Sequence, residues 1–183
     1  FQSHTIQSTY NLLKEQDLDF IISSVHLVNG QDPYFPEYFQ GQSKKEAYGR
    51  YLDKVLESVT RFEYYSVLGH LGYVTKGAPY EDKVLYYRDF PDEIDAILKT
   101  VLSTGHGIEV NTSGLRYCPS PLPGLDILKR YRELGGEIIT LGSDGHYIEY
   151  LAYKFPEATA LLKEAGFRYI TVFHAMKPSF VKL

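Results

Sequence analysis

Apolar residues in this chain gather into short runs separated by longer stretches of helical spacing. Five runs have strand length and few polar members: residues 19–26, 65–69, 108–111, 137–141 and 168–173. Nearly unbroken apolar runs of this kind belong to strands covered on both faces. Between them, Ser43 reads as an N-cap with Glu46 completing a capping box, and Ala47, Tyr51, Val55, Val59 and Phe62 follow helical spacing. Pro91 suits a first helical position, and Ile94, Ile97, Leu98 and Val101 line one face of a helix over 91–103. A third helix over 125–134 stops at Gly135-Gly136, and a fourth over 156–165 closes at Gly166.

Strands that alternate with helices predict an α/β domain with a parallel sheet. Two architectures fit, an open doubly wound sheet or part of a (β/α) barrel. Four successive runs end on side chains that bind metals or polar ligands: His26, His70, Asn111, and the pair Asp144 and His146. Ligands gathered at the C-terminal ends of many strands favour the barrel. A barrel typically takes roughly 250 residues, whereas this sequence has 183 and opens at Phe1 without an initiator Met. The expectation is one domain over 1–183 that carries the later strands and helices and lacks its N-terminal portion.

Composition narrows the partners. A formal net charge of −4 argues against a nucleic-acid or anionic-membrane surface. No run approaches the roughly 18 apolar residues of a membrane span, and no signal-peptide pattern opens the chain. A single cysteine, Cys118, excludes an internal disulfide and a cysteine-based zinc cluster, and fits a reducing compartment. A cytoplasmic protein acting on a small molecule is expected.

Neutral imidazole and carboxylate suit Zn, Mn or Fe, and the Asp-x-His spacing at 144–146 lets two side chains point into one cavity. Asn111-Thr112-Ser113-Gly114-Leu115-Arg116 adds an amide, two hydroxyls and a guanidinium, and arginine binds phosphate bidentately. His106 precedes its strand and so belongs to the end where stability is served. His174 follows the last run and would face the ligand edge, without a partner motif; His4 has no placement. No Walker loop, nucleophile elbow or dinucleotide fingerprint is present.

Taken together, Ser24-Val25-His26, Gly69-His70, Glu109 through Arg116 and Gly142-Ser143-Asp144-Gly145-His146 closely resemble the polymerase-and-histidinol-phosphatase (PHP) family, its histidinol-phosphatase branch above all. The tail from Glu164 to Phe173, with Lys177-Pro178 beyond it, is similar to that branch too. The resemblance runs from about Leu18 onward. It implies a distorted (β/α)7 TIM-like barrel with up to three divalent metals, Zn, Mn or Fe. His26 and His70 would ligate one metal, Asp144 a second and His146 a third, with Asp144 and His146 central to catalysis. Arg116 and Asn111 would face the substrate phosphate. The family's early His-x-His motif, its further early histidines and its metal-bridging Glu are not found here, and the usual Ser-Asp-Ala-His reads Ser-Asp-Gly-His. The implied reaction is hydrolysis of L-histidinol phosphate in histidine biosynthesis. The alternatives are a PHP phosphoesterase for nucleotides or other small phosphates, or a catalytically incomplete fragment.

Overall fold

The computed structural model describes residues 5–183. After α1 (Ile6–Lys14), four parallel strands lie in the order β1 (Ile22–Ser23), β2 (Val67–Leu68), β3 (Gly107–Asn111) and β4 (Ile139–Gly142). Helices α2 (Lys44–Arg61), α3 (Pro91–Ser103) and α4 (Leu125–Glu133) form the three crossovers, and α5 (Phe155–Glu164) follows β4. The expected helices are all present, with ends within one residue of those read from spacing and caps. The first two strands are much shorter than their apolar runs. Around them the chain is tied irregularly, as where Ser66 N donates to Ile21 O and the Ser66 hydroxyl accepts from Ile21 N.

Period-2 alternation gives the sheet two different faces. Register pairs Ile108 with Ile139 and Val110 with Leu141, and these side chains meet the helices. The same register pairs Glu109 with Thr140 and Asn111 with Gly142 on the other face. The helical side is a dense core in which Tyr48, Tyr51 and Leu52 of α2, Ile94, Ile97 and Leu98 of α3, and Ile127 and Tyr131 of α4 are fully buried. This core holds the strand ends rigidly in place.

The capping box of α2 forms in full: Glu46 N donates to Ser43 Oγ at 3.3 Å and Ser43 N to Glu46 Oε2 at 2.8 Å. Ser43→Ala is therefore expected to lower stability by about 1 kcal/mol. Denaturant unfolding with an unchanged midpoint would count against a working cap.

The fifth run departs from expectation. It does not join the parallel sheet but pairs antiparallel with a sixth strand, β5 (Tyr169–His174) with β6 (Lys177–Lys182). Ala175 and Met176, at φ 47° and 62°, make the two-residue turn between them. Such a turn needs positive φ at both positions and usually announces itself as Asn-Gly, a signal this sequence lacks. Pro178 is tolerated because β6 is an edge strand. The hairpin lies across the N-terminal edge of the sheet. Thr171 Oγ1 accepts from Ile139 N at the start of β4 (3.0 Å), and Asp19, ahead of β1, accepts from Ala175 N (2.7 Å). His174, expected at the ligand edge, therefore sits at the opposite edge, 2.9 Å from Asp19 and almost fully exposed. His106 behaves as expected, stacked on Tyr65 with its Nδ1 2.7 Å from Thr104 Oγ1. His4 lies outside the described residues.

Candidate metal centre

Each candidate side chain lies at or just past the C-terminal end of a strand. His26 follows β1 and His70 follows β2, and their Nε2 atoms face one another at 3.1 Å. The backbone of His70 is left-handed, with φ 28°, and is held from two sides. Its N–H donates to Glu109 Oε2 at 2.9 Å. The Tyr51 hydroxyl, buried in α2, accepts from Gly72 N and Tyr73 N, both at 3.3 Å, and donates to His70 O at 3.4 Å. Gly69 supplies the room for this crossing, since a Cβ there would lie 2.5 Å from Ser24 Oγ and 2.6 Å from Ile22 Cγ2.

Burial lowers the pKa of both imidazoles, that of His70 to about 3; the Lys76 charge adds to the effect at each, and the neighbouring imidazole adds to it at His70. Both rings are neutral at physiological pH. Two neutral rings facing Nε2 to Nε2 can share only one proton, so a lone pair is left pointing at the gap. Zn–N bonds of about 2.0–2.1 Å at a tetrahedral angle put two ring nitrogens about 3.3 Å apart, close to the spacing found. The Nδ1 of His70 is buried without a hydrogen-bond partner. The Tyr73 ring packs against both imidazoles, its hydroxyl donating to Asp32 at 3.1 Å.

Asp144 and His146 form the second group, beyond β4. Asp144 has φ 47°, a left-handed conformation that Asp accepts more readily than most residues. Its Oδ2 lies 2.5 Å from Lys76 Nζ and 3.4 Å from Ser113 Oγ, and its Oδ1 lies 3.3 Å from His146 Nε2. Burial works to raise its pKa, but the hydrogen bond and charge of Lys76 outweigh it and lower the pKa, which keeps the carboxyl ionised. His146 itself is largely exposed. Arg116 reaches in from the turn after β3: its Nη2 donates to Asp144 O at 3.1 Å and its guanidinium lies 4.4 Å over the Tyr150 ring. Its Nε is buried and unpartnered.

The predicted groups thus come together as two pairs, His26 with His70 and Asp144 with His146. Among the described residues no three His, Cys, Asp or Glu side chains converge on one point. Asn111, expected to face the substrate, is instead a brace. Its Nδ2 donates to Glu109 (3.0 Å), and its Oδ1 accepts from Ser113 N (3.0 Å) and Ser113 Oγ (2.6 Å), so the amide is committed inward.

Sequence reasoning missed Glu109, Lys76 and Tyr73. Glu109 was detectable as the one charge inside an apolar strand. Lys76 carries no local signal, because its burial is created by the turn over 73–75 and by side chains distant in sequence. Gly142 is part of the same construction, since a Cβ there would overlap the Glu109 carboxylate. Gly142→Ala is expected to push Glu109 off His70 N and cost about 1–3 kcal/mol through a buried unsatisfied group. A thermal midpoint equal to the parent's would show that Glu109 moves freely.

A parallel βα fold with candidate metal donors and cations gathered at the strand C-termini defines a barrel-type α/β protein. The PHP domain pattern matches residues 2–113, and the chain belongs to that family. It is 33% identical over 160 residues to the histidinol-phosphatase of Lactococcus lactis subsp. lactis, covering 87% of this chain and 60% of that protein. It is 33% identical over 155 residues to the probable histidinol-phosphatase of Clostridium acetobutylicum, covering 83% and 60%. The chain thus spans about 60% of the length of these relatives. It superimposes with a TM-score of 0.88 and 29% identity on the crystal structure of histidinol phosphate phosphatase from Lactococcus lactis complexed with zinc, L-histidinol and phosphate. That match covers 98% of this chain and 68% of the other, so the βα units described above are those of the TIM-like PHP barrel.

Proposed function

We propose that the protein is a metal-dependent phosphate monoesterase acting on L-histidinol phosphate, releasing L-histidinol and inorganic phosphate in histidine biosynthesis. The observation that carries this reading is the composition of the C-terminal sheet edge: two facing neutral imidazoles, an ionised carboxylate with a histidine beside it, and a stacked arginine. Similarity to a phosphatase structure complexed with zinc, L-histidinol and phosphate supports the choice of substrate. A cytoplasmic site of action agrees with the composition.

The donors fit divalent cations. The 3.1 Å spacing of His26 and His70 Nε2 suits one metal, and Asp144 and His146 offer oxygen and nitrogen to others, with Zn, Mn or Fe each compatible. When bound, such cations supply Lewis acidity and water of lowered pKa at this edge. The protein's own groups do the rest. Glu109 and Tyr51 hold His70 in its left-handed conformation, and the Tyr73 ring packs against both imidazoles. Arg116, fixed on the Tyr150 ring, presents a planar fork to the equatorial phosphoryl oxygens and offsets their charge. Asn111 contributes by holding Ser113 against the Asp144 carboxylate. In the reaction the water oxygen forms a bond to phosphorus as the bond to the alcohol oxygen breaks. A proton passes to that leaving oxygen, giving alcohol and phosphate.

Rates on histidinol phosphate and on nucleoside monophosphates, measured with Zn2+ or Mn2+ present, test the proposal. A clear preference in kcat/KM for histidinol phosphate is expected. Equal or better turnover of a nucleotide would transfer the assignment to a different phosphoesterase, and no hydrolysis of any monoester would leave a fold retained without turnover.

A further inference from the structure

We infer that Lys76 is a second cation of the phosphate site, held on Asp144 until a metal engages that carboxylate and then turned to the phosphoryl oxygens alongside Arg116. The inference rests on the phosphate-monoesterase reading. Its basis is the setting of the ammonium. The Lys76 side chain is 4% exposed, although lysine is almost never buried without a partner. Its Nζ lies 5.1 Å from the Tyr73 ring and 5.9 Å from the Tyr117 ring, an aromatic enclosure that stabilises a cation but does not neutralise it. Among the described residues its one ion-pair partner is Asp144.

That pairing conflicts with the proposed role of Asp144. A carboxylate that ligates a divalent cation has its charge drawn to the metal and no longer balances a buried ammonium. An unbalanced buried charge is costly, so a second anion is required. The surroundings say where it would bind. Lys76 reaches Asp144 at its side-chain Oδ2, and Arg116 reaches the same residue at its main-chain oxygen. Both cations are therefore anchored on one residue, next to the candidate metal donors. An anion with several oxygens at tetrahedral angles can accept from both, the arginine fork on one side and the compact ammonium on the other. Phosphate has that shape and charge. Lys76 thus serves in turn as counter-ion of Asp144 before loading and as ligand of the phosphoryl group after it.

The test is calorimetric titration of inorganic phosphate into the zinc-loaded protein, for the parent, Lys76→Met and Lys76→Arg, with zinc content and KM for histidinol phosphate measured in parallel. Methionine keeps the length and the fit between the rings. Lys76→Met is expected to weaken phosphate binding about 10- to 100-fold and to raise KM by a similar factor, while zinc is bound as tightly as in the parent or more so. Lys76→Arg is expected to recover most of the phosphate affinity. Parent-like phosphate binding in a zinc-loaded Lys76→Met protein that hydrolyses the ester would overturn the role of Lys76 alone. A zinc-loaded parent that neither binds phosphate nor hydrolyses a monoester would overturn the underlying reading with it.

Discussion

Asp144→Asn should lower kcat on a phosphate monoester by at least about 1,000-fold while leaving the fold intact. Asparagine is the informative choice because Asp144 sits at φ 47°, a conformation that Asn also adopts readily. Alanine would add backbone strain and confuse the result. The amide keeps the shape and can still accept from Lys76 Nζ, but it removes the charge that a metal and the buried ammonium both need. Loss of the charged partner should cost roughly 1–3 kcal/mol of stability, or roughly 2–4 °C of thermal midpoint for each kcal/mol in a chain of this size. A variant with parent-like turnover would remove Asp144 from the metal centre. Unfolding at working temperature would instead make its bond with Lys76 primarily structural.

The second large effect is expected for His70→Asn. Asn again suits the left-handed backbone, so the N–H bond to Glu109 and the carbonyl bond from Tyr51 can persist. What disappears is the Nε2 that faces His26. Loss of hydrogen-bond partners that merely orient a ligand costs about 10- to 100-fold in metal affinity, and removal of the ligand itself should exceed that. Equilibrium dialysis with zinc, alongside circular dichroism to confirm the fold, measures it directly. Unchanged zinc affinity in the folded variant would mean that the two imidazoles do not share a cation, whatever their spacing.

How much of this was legible in advance differs by element. The helices were readable because their signals are local: the Ser43 box, Pro91 at the start of α3, Gly135 and Gly166 past α4 and α5. The strand ends were readable because a polar residue closing an apolar run needs no knowledge of its neighbours. The β5–β6 hairpin was not, since Ala175-Met176 carries no turn signal and residues 168–173 look like any other buried strand. Its docking is set by distant partners, Asp19 and Ile139. The bracing bonds of Asn111 were hidden for a related reason. An amide at a strand end looks available until Glu109 and Ser113 are seen to engage both its ends.

By itself, the sequence determined the βα order and the family, and it singled out four candidate metal-donor side chains, because each of these readings depends on residues close together in the chain. Only the tertiary structure decided how those donors pair. His26 and His70 are separated by a whole βα unit and meet only because β1 and β2 run side by side in register. Lys76 becomes a buried partner of Asp144 only once the turn after β2 lies beside the loop after β4. Burial, and with it the neutral state of the imidazoles and the need of the ammonium for an anion, is a property of the packed molecule. No local run of residues encodes it.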